Sequence, residues 1–448
     1  MLLVSNYRYL VSLLALHRLG YIPFLLSPRL SIEAASILHD HLGSKKIVFS
    51  SPFVTLASSI TDKSQCFEEP ESNIWLEAGH VVNINIPVHS GKLAMDKFAY
   101  FHSSGSTGIP KPICMNCETV FHFMVYKSKY EVLSVAPLSH LLGFGAFIGA
   151  FLHGLRHTGF DFAGPAIAKS IISALNTVLP QKLVIVPLLL KEVMALPDGI
   201  TALQRLKSVD TSGALVPDVL IEKCFESHIP LVQVYGTTEV GPIMSTLGSE
   251  EIETLNWFRV FDECLPFVRW DPTGDNIYEL VISKLCPNAL SIKSNDGFRT
   301  RDLFVKHPSV ENAWKYYCRV DDRITLINGE KVLPLAMEQT FRTDKLIKQA
   351  VVFGMGKQLP GVAIIPAEKV EAKELFLDSI WKTVELVNSE ADSFSQLTRD
   401  MIIILPFDVE YPQTDKGTVK RFLFYNQFRD PIEQTYKTLY DQIERKLD

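Results

Sequence analysis

The sequence predicts an α/β fold. A large N-terminal unit, residues 1–320, is made of mostly parallel sheets covered by helices, and a smaller α+β unit, residues 321–448, follows it. Three observations carry this reading. Short aliphatic runs alternate with helix-length segments over the first two thirds of the chain. Those runs end in polar turns that lead into helices, the signature of a parallel sheet with helical crossovers. After about Arg319 the texture changes, and a hairpin signal opens a unit of two strands and two helices.

The elements follow in order. Residues 9–26 are apolar, but His17 and Arg18 interrupt them and Pro23 lies near their end. A signal peptide needs an unbroken apolar stretch and a spanning helix needs ~20 apolar residues. The segment is therefore expected to be a buried amphipathic helix running into a strand, with no membrane span and the cytoplasm as the expected compartment. Ser31 caps a helix over residues 32–41, and Gly43 stops it. Residues 46–49, 182–186, 206–210 and 231–235 read as buried strands, the second followed by an apolar helix to Met194. Residues 144–155 are apolar all round, as in a core helix, and residues 70–97 read as an irregular surface connection. Beyond the boundary at residues 319–322, a hairpin turns around Asn328-Gly329 between Ile324 and Val332. Strands at 349–353 and 362–365 and helices at 372–388 and near the C-terminus complete the unit.

Apolar residues make up 47% of the 448 and charged residues 21%, so the chain can bury a sizeable core and wholesale disorder is excluded. The net charge of −6 and the lack of any Lys/Arg cluster argue against a nucleic-acid surface. Seven scattered cysteines, an odd number, fit reduced thiols better than a disulfide framework. Cys114 and Cys117 form a C-x-x-C without the second pair a zinc ribbon needs, and they read as incidental.

Four segments carry chemistry. The first, His102-Ser103-Ser104-Gly105-Ser106-Thr107-Gly108-Ile109-Pro110-Lys111, follows a strand-like run over residues 98–101. Glycines let such a loop wrap closely, while backbone N–H groups, hydroxyls and a lysine donate to phosphate oxygens. By itself it is equally a Ser/Gly surface turn. The second, Tyr235-Gly236-Thr237-Thr238-Glu239, lies at a strand end. It offers an aromatic ring to a base, a hydroxyl to a phosphate and a carboxylate to magnesium; alternatively Thr237 or Thr238 simply caps a helix. In the third, Gly297 to Asp302, the aspartate can accept from two ribose hydroxyls, as acidic residues do in other nucleotide folds, or form a surface ion pair. The fourth, Arg319 to Arg323 followed by Asn328 to Val332, is alone a charged turn.

Taken together and in this order, the four segments resemble the adenylate-forming superfamily of acyl-CoA synthetases, luciferases and peptide-synthetase adenylation domains. The first looks like that family's phosphate loop, the second its Y-G-x-T-E motif, and the third its ribose-binding G-x-R-T-x-D. The fourth is similar to its G-R-x-D hinge, with Cys318 in place of glycine. Ser212-Gly213-Ala214 resembles the adenine-side G-G-E/A turn, and Pro137 to Gly143 resembles P-L-x-H-x-x-G. The flavour of residues 14–31 is most like fungal synthetase-like carboxylic acid reductases. The resemblance runs from about Tyr9 to Arg421, and it implies that an N-terminal segment found in the family lies outside this chain.

The resemblance implies a fold with a small mobile C-terminal domain and ATP-dependent activation of a carboxylic acid. The product is acyl-AMP, pyrophosphate is released, and the acyl group passes to CoA or to the phosphopantetheine thiol of a carrier protein. Ser103 to Gly108, Lys111 and Thr238 would serve the phosphates, Ser212, Gly213, Tyr235 and Gly236 the base, Asp302 and Arg319 the ribose, and Glu239 Mg²⁺. His140 would lie near the reacting carboxylate or pack in the core, and Asp321 would be the hinge. The family's P-x-T-x-x-G-K-x-x-R carries a lysine that contacts the reacting groups, but here Thr418 stands in its place, flanked by Lys416 and Lys420. On a strand both lysines would point the same way as Thr418, so either is a substitute, with Lys420 favoured. Residues 134–147 contain no acidic side chain to hold an α-ammonium, so an aryl or aliphatic acid is favoured over an α-amino acid. No carrier-serine motif follows Arg421, which argues against a carrier in the chain and leaves open a carrier protein in trans. The alternatives are a free-standing acyl- or aryl-CoA ligase and a truncated, inactive nucleotide-binding relative.

Overall fold

The structure, a computed structural model, describes residues 1–70, 96–103, 110–122, 129–160, 167–246, 255–274, 276–289, 294–328, 330–414 and 417–447. The expected surface connection at residues 70–97 falls largely outside them.

The first helix, Tyr7–Arg18, is capped by Asn6, whose side chain accepts from the Arg8 and Tyr9 amides. It buries Tyr9 and Leu13 against Phe98, Phe101 and Phe144. Ser31 caps Ile32–His41 as expected, and Gly43 follows at φ +61°. Two small sheets stand apart from the main one: β1 (Ile47–Phe49) pairs with β2 (Cys66–Glu68) in parallel, and β3 (Lys97–His102) pairs with β4 (Pro112–Asn116) as a hairpin.

Among the described residues, the main sheet has eleven strands. Its parallel half comprises β5 (Val132–Ser134), β6 (His157–Gly159), β7 (Lys182–Ile185), β8 (Ser208–Ser212) and β9 (Leu231–Thr237). These strands are connected through helices that bury Ile171, Leu175, Leu190, Val193, Leu203 and Ile221 against Leu133, Leu183, Ile185 and Val209. Fully burying each such aliphatic side chain contributes roughly 1.5–3 kcal/mol, and β7, Lys182-Leu183-Val184-Ile185, which is covered on both faces, is accordingly almost wholly aliphatic. The core helix expected at 144–155 spans Leu141–Leu152.

From β9 onward the sheet is antiparallel. β10 (Gly241–Ser245), β11 (Phe258–Val260), β12 (Val268–Gly274), β13 (Ile277–Ile282), β14 (Phe298–Lys306) and β15 (Ala313–Arg319) continue it in the order β9-β10-β11-β15-β14-β13-β12. The chain thus joins the parallel pattern read from the sequence to a meander in one sheet.

Past Arg319 a single tight turn, Val320–Asp322, leads to β16 (Ile324–Thr325) and β17 (Lys331–Val332), the hairpin expected around residue 328. The last sheet joins β18 (Ile347–Phe353), β19 (Gly361–Pro366) and β20 (Ile402–Ile404). Successive strand residues face opposite sides, and both sides are covered. Ala350, Val352, Val362 and Ile364 meet Ile380 and Val384 of the Lys373–Glu390 helix. Val351, Phe353, Ala363 and Ile365 meet Phe424, Phe428 and Tyr436 from the C-terminal helices Arg421–Gln427 and Arg429–Leu447. Among the described residues, no helix is long and apolar enough to cross a membrane.

Candidate functional site

The site begins on the β14–β15 pair, where Asp302 and Arg319 face each other in register. Two backbone devices set up this stretch. Gly297 sits at φ +86°, and a Cβ there would collide with the Ile282 carbonyl. Arg301 occupies the left-handed region at φ +60°, beside a register shift between β13 and β14, while its N–H donates to Glu279 Oε1. That kink turns the next residue inward. Thr300 Oγ1 accepts from the Asp302 N–H at 3.1 Å and donates to the Leu280 carbonyl at 2.8 Å. Arg299 points the other way and pairs with Asp271 at 2.6 Å and Glu279 at 3.2 Å.

Asp302 is 5% exposed. The Tyr235 hydroxyl donates to its Oδ2 at 2.6 Å, and Arg319 donates to Oδ1 at 3.2 Å. Burial pushes the Asp302 carboxyl up to about 6; the Arg319 charge and the Tyr235 hydrogen bond oppose this, while the Asp322 and Glu239 charges add to it. Burial, and then the Asp302 charge, likewise push the Tyr235 phenol well above its ordinary value. Tyr235 was expected to offer a ring to a base; in the structure its ring is half-buried, edge-on to Phe304 and Phe258, and its hydroxyl is committed to Asp302.

Tyr235 lies on β9, and Ser212 and Gly213 lie at the end of the adjacent β8. Gly213 adopts φ +86°. After Thr237 the chain turns directly back into β10, so neither Thr237 nor Thr238 caps a helix. Gly236 permits this return, since a Cβ there would strike the Gly241 carbonyl and Pro242 Cα. Thr238 and Glu239 occupy the turn, half-buried. Thr237 Oγ1 is buried without a hydrogen-bond partner among the described residues.

The candidate phosphate loop connects β3 to β4. Ser103 and Lys111 clasp its root: the Ser103 N–H donates to the Lys111 carbonyl at 3.0 Å, and the Lys111 N–H donates to Ser103 Oγ at 3.2 Å. Ser104, Gly105, Ser106, Thr107 and Gly108 lie outside the described residues. His140 sits at the N-terminus of the Leu141–Leu152 helix, and its ring stands 6.0 Å from that of His102, edge to face. His102 opens the first segment in the sequence but carries no role of its own there, and in the structure it is the last residue of β3. Phe24 and Ser27, far away in the chain, lie against its ring together with His140.

Asp321 lies in the turn Val320–Asp322, and its side chain is outside the described residues. The segment of residues 412–420 is not the regular strand that put both lysines on one side. It is a tight hairpin: Gln413 bridges Val419, the Thr414 N–H donates to the Thr418 carbonyl at 2.7 Å, and the Gly417 N–H donates to the Thr414 carbonyl at 2.9 Å. Lys416 falls outside the described residues, and Lys420 is the residue from which the Arg421–Gln427 helix starts. The hairpin reaches the large unit, where a Cβ on Gly417 would lie 3.5 Å from Leu188 Cδ2 in the helix that follows β7. Behind it, Arg421 forks onto Glu338 at 2.6 and 3.0 Å and also donates to the Val352 carbonyl at 3.1 Å.

Comparison with known proteins gives the same frame. The family model described as AMP-binding enzyme matches residues 1–258, and the one described as AMP-binding enzyme C-terminal domain matches residues 321–440. The chain is 28% identical to the adenylate-forming reductase Nps11 of Serpula lacrymans, over 94% of this chain and 42% of that protein. It is 24% identical to a carboxylic acid reductase of Neurospora crassa, over 97% of this chain and 44% of that one. The chain thus spans about two fifths of the length of these curated relatives. Among solved structures, the o-succinylbenzoate coenzyme A synthetase of Bacillus subtilis in complex with ATP and magnesium aligns with a TM-score of 0.75 at 18% identity, covering 94% of this chain and 88% of that one. The anthranilate CoA ligase AuaEII in complex with anthranoyl-AMP aligns at 0.74 and 16% identity, covering 96% and 86%.

Proposed function

The chain belongs to the AMP-binding enzymes, an adenylate-forming family that activates carboxylic acids as acyl-AMP, and we propose that its own substrate is an aryl or aliphatic acid whose acyl group passes to a carrier-protein or CoA thiol. The observation that supports this most is the buried Asp302 carboxylate held between Tyr235 and Arg319 beside the ends of β8 and β9. A carboxylate so placed accepts from the two hydroxyls of a ribose, and the ends of parallel strands are where open α/β sheets bind nucleotides.

In the proposed reaction a carboxylate oxygen of the acid attacks the α-phosphorus of ATP, the bond from that phosphorus to the bridging oxygen breaks, and pyrophosphate leaves. Charge accumulates on the phosphate oxygens, so donors fixed there lower the barrier. Lys111 and Ser103, with Ser104 to Gly108, are assigned to those oxygens, together with Thr238. Ser212, Gly213 and Gly236 line the base side. Glu239 is a half-buried carboxylate whose charge already acts on Asp302, and a Mg²⁺ ion bound by one or two carboxylates plus substrate phosphates fits that donor. When bound, the ion neutralises phosphate charge. His140 is assigned to the acid, and Asp321 to the hinge about which residues 321–448 turn. A thiolate then attacks the acyl carbonyl, and AMP leaves.

A second reading, an inactive nucleotide-binding relative, is favoured by one observation: Thr418 stands where a lysine is expected. Acid-dependent exchange of pyrophosphate into ATP, measured over a panel of aryl, aliphatic and amino acids, separates the two. Exchange with an aryl or aliphatic acid supports the activity. ATP binding without exchange for any acid overturns it in favour of the second reading.

A further inference from the structure

We infer that His102 is a positioning residue that fixes the root of the phosphate loop through a neutral imidazole of a single tautomer. This rests on the acyl-adenylation reading. His102 is the last residue of β3, 4% exposed. Its Nε2 lies 3.1 Å from the Ser27 N–H, and its Nδ1 lies 3.3 Å from the Ser103 carbonyl. A backbone N–H only donates and a carbonyl only accepts. The two contacts together therefore require an unprotonated Nε2 and a protonated Nδ1. An imidazolium would set one N–H against another at Ser27, and the opposite tautomer would break both contacts.

The ring joins three parts of the site. Ser27 belongs to the segment that runs alongside β3, where Phe24 makes a parallel bridge to Tyr100. The Phe24 ring stands edge-on to His102 at 6.3 Å, with His140 at 6.0 Å on another side. Ser103 is the residue whose N–H and Oγ clasp Lys111. With its amide and hydroxyl held by Lys111 and its carbonyl held by His102, Ser103 has little orientational freedom left, and the loop springs from a fixed point. A side chain that orients a catalytic loop in this way acts on how the nucleotide is held, not on the bonds that break.

The test uses the full chain and two variants that each keep half of the imidazole. His102→Asn places an amide donor near the position of Nδ1 and keeps the tie to Ser103. His102→Gln reaches the position of Nε2 and keeps only the acceptor for Ser27. Long-range ¹H–¹⁵N spectra near pH 7, where histidine tautomers are resolved, are recorded on ¹⁵N-histidine protein, and the His102 signals are assigned by their loss in the variants. The expected result is the Nδ1–H tautomer, with a KM for ATP raised on the order of tenfold in His102→Gln and within about threefold of the parent in His102→Asn, as for one lost hydrogen bond. An Nε2–H tautomer, or an equal KM in the two variants with only a common loss of Tm, overturns the proposal. If the parent exchanges pyrophosphate with no acid, the activity reading falls; the dissociation constant for ATP then replaces KM. If ATP is not bound at all, the tautomer alone decides whether His102 holds Ser103.

Discussion

The Tyr235 hydroxyl donates to Asp302 Oδ2 across 67 residues of sequence, from β9 to β14, which are not neighbours in the sheet. Burial has raised the Asp302 carboxyl to about 6, so its ionisation falls within an accessible pH range. Ribose hydroxyls need the ionised form as acceptor. AMP affinity is therefore expected to be full above about 6 and to fall by up to about tenfold per pH unit below it. The stability linkage runs the other way. A carboxyl raised in the folded state binds its proton before the unfolded chain does, so its contribution stabilises the fold at low pH and is lost as pH rises through about 6. Isothermal calorimetry of AMP binding, with Asp302→Asn as the control for the nucleotide's own titration, checks the first. A pH series of urea denaturation checks the second.

Removing the donor sharpens this. Tyr235→Phe takes away the hydrogen bond that favours the carboxylate, so the pH midpoint for AMP binding is expected to move upward. At neutral pH the variant is expected to lose about 1–3 kcal/mol of stability. A midpoint that stays or falls would show that the hydroxyl does not govern Asp302.

Arg301 holds φ +60° to turn Asp302 inward. An L-residue there costs roughly 1–2 kcal/mol and glycine gives back part of that in unfolded-state entropy. Arg301→Gly is therefore expected to raise stability by about 0.5–1 kcal/mol in urea denaturation, with AMP affinity retained.

Arg421 and Glu338 form a bidentate pair in the interior of the C-terminal unit. Arg421→Met leaves a buried carboxylate uncompensated and is expected to cost about 3–5 kcal/mol, most of it recovered when Glu338→Met is added. Independent effects of the two substitutions would contradict a coupled pair.

The lysine question is decided by Lys416→Ala and Lys420→Ala, made separately. A lysine that acts in the transition state lowers kcat without raising KM for ATP. Loss of exchange on the order of a hundredfold in one variant alone, at unchanged ATP affinity, is the expected outcome, as for removal of one charge-stabilising donor. Full exchange in both shows that neither lysine takes part.

The legible parts of this molecule were local. Ser31 and Gly43 announce a helix through capping chemistry that acts over three residues, and the strand read at residues 182–186 with an apolar helix to Met194 after it announces a crossover. The order of the four segments pointed to the family that the AMP-binding models match. The illegible parts depended on distant contacts. The strands that follow Gly241 carry mixed polar and apolar residues over irregular gaps, so their place as a meander in the main sheet had no local signature. The Tyr235 hydroxyl was free to stack or to donate until folding brought Asp302 beside it. For residues 412–420, placing both lysines on one side supposes a strand, whereas Gly417 at φ +79° closes a turn. Nothing near Arg421 in sequence names Glu338, 83 residues earlier, as its partner.

The change from parallel to antiparallel pairing within one sheet has a consequence for the order of assembly. Strands β12 to β15 are consecutive in the chain and adjacent in the sheet, and the returns from β12 to β13 and from β14 to β15 are short. Strands β5 to β9 are joined only through helical crossovers, whose loop-closure entropy must be met before pairing rewards it. The segment carrying Asp302 and Arg319 is therefore expected to become protected first when the denatured chain is returned to native conditions, with the Val184 and Val209 amides following. Pulse-labelled hydrogen exchange during refolding reads this directly; simultaneous protection of both halves would mean that the sheet nucleates as a single unit, without a local start.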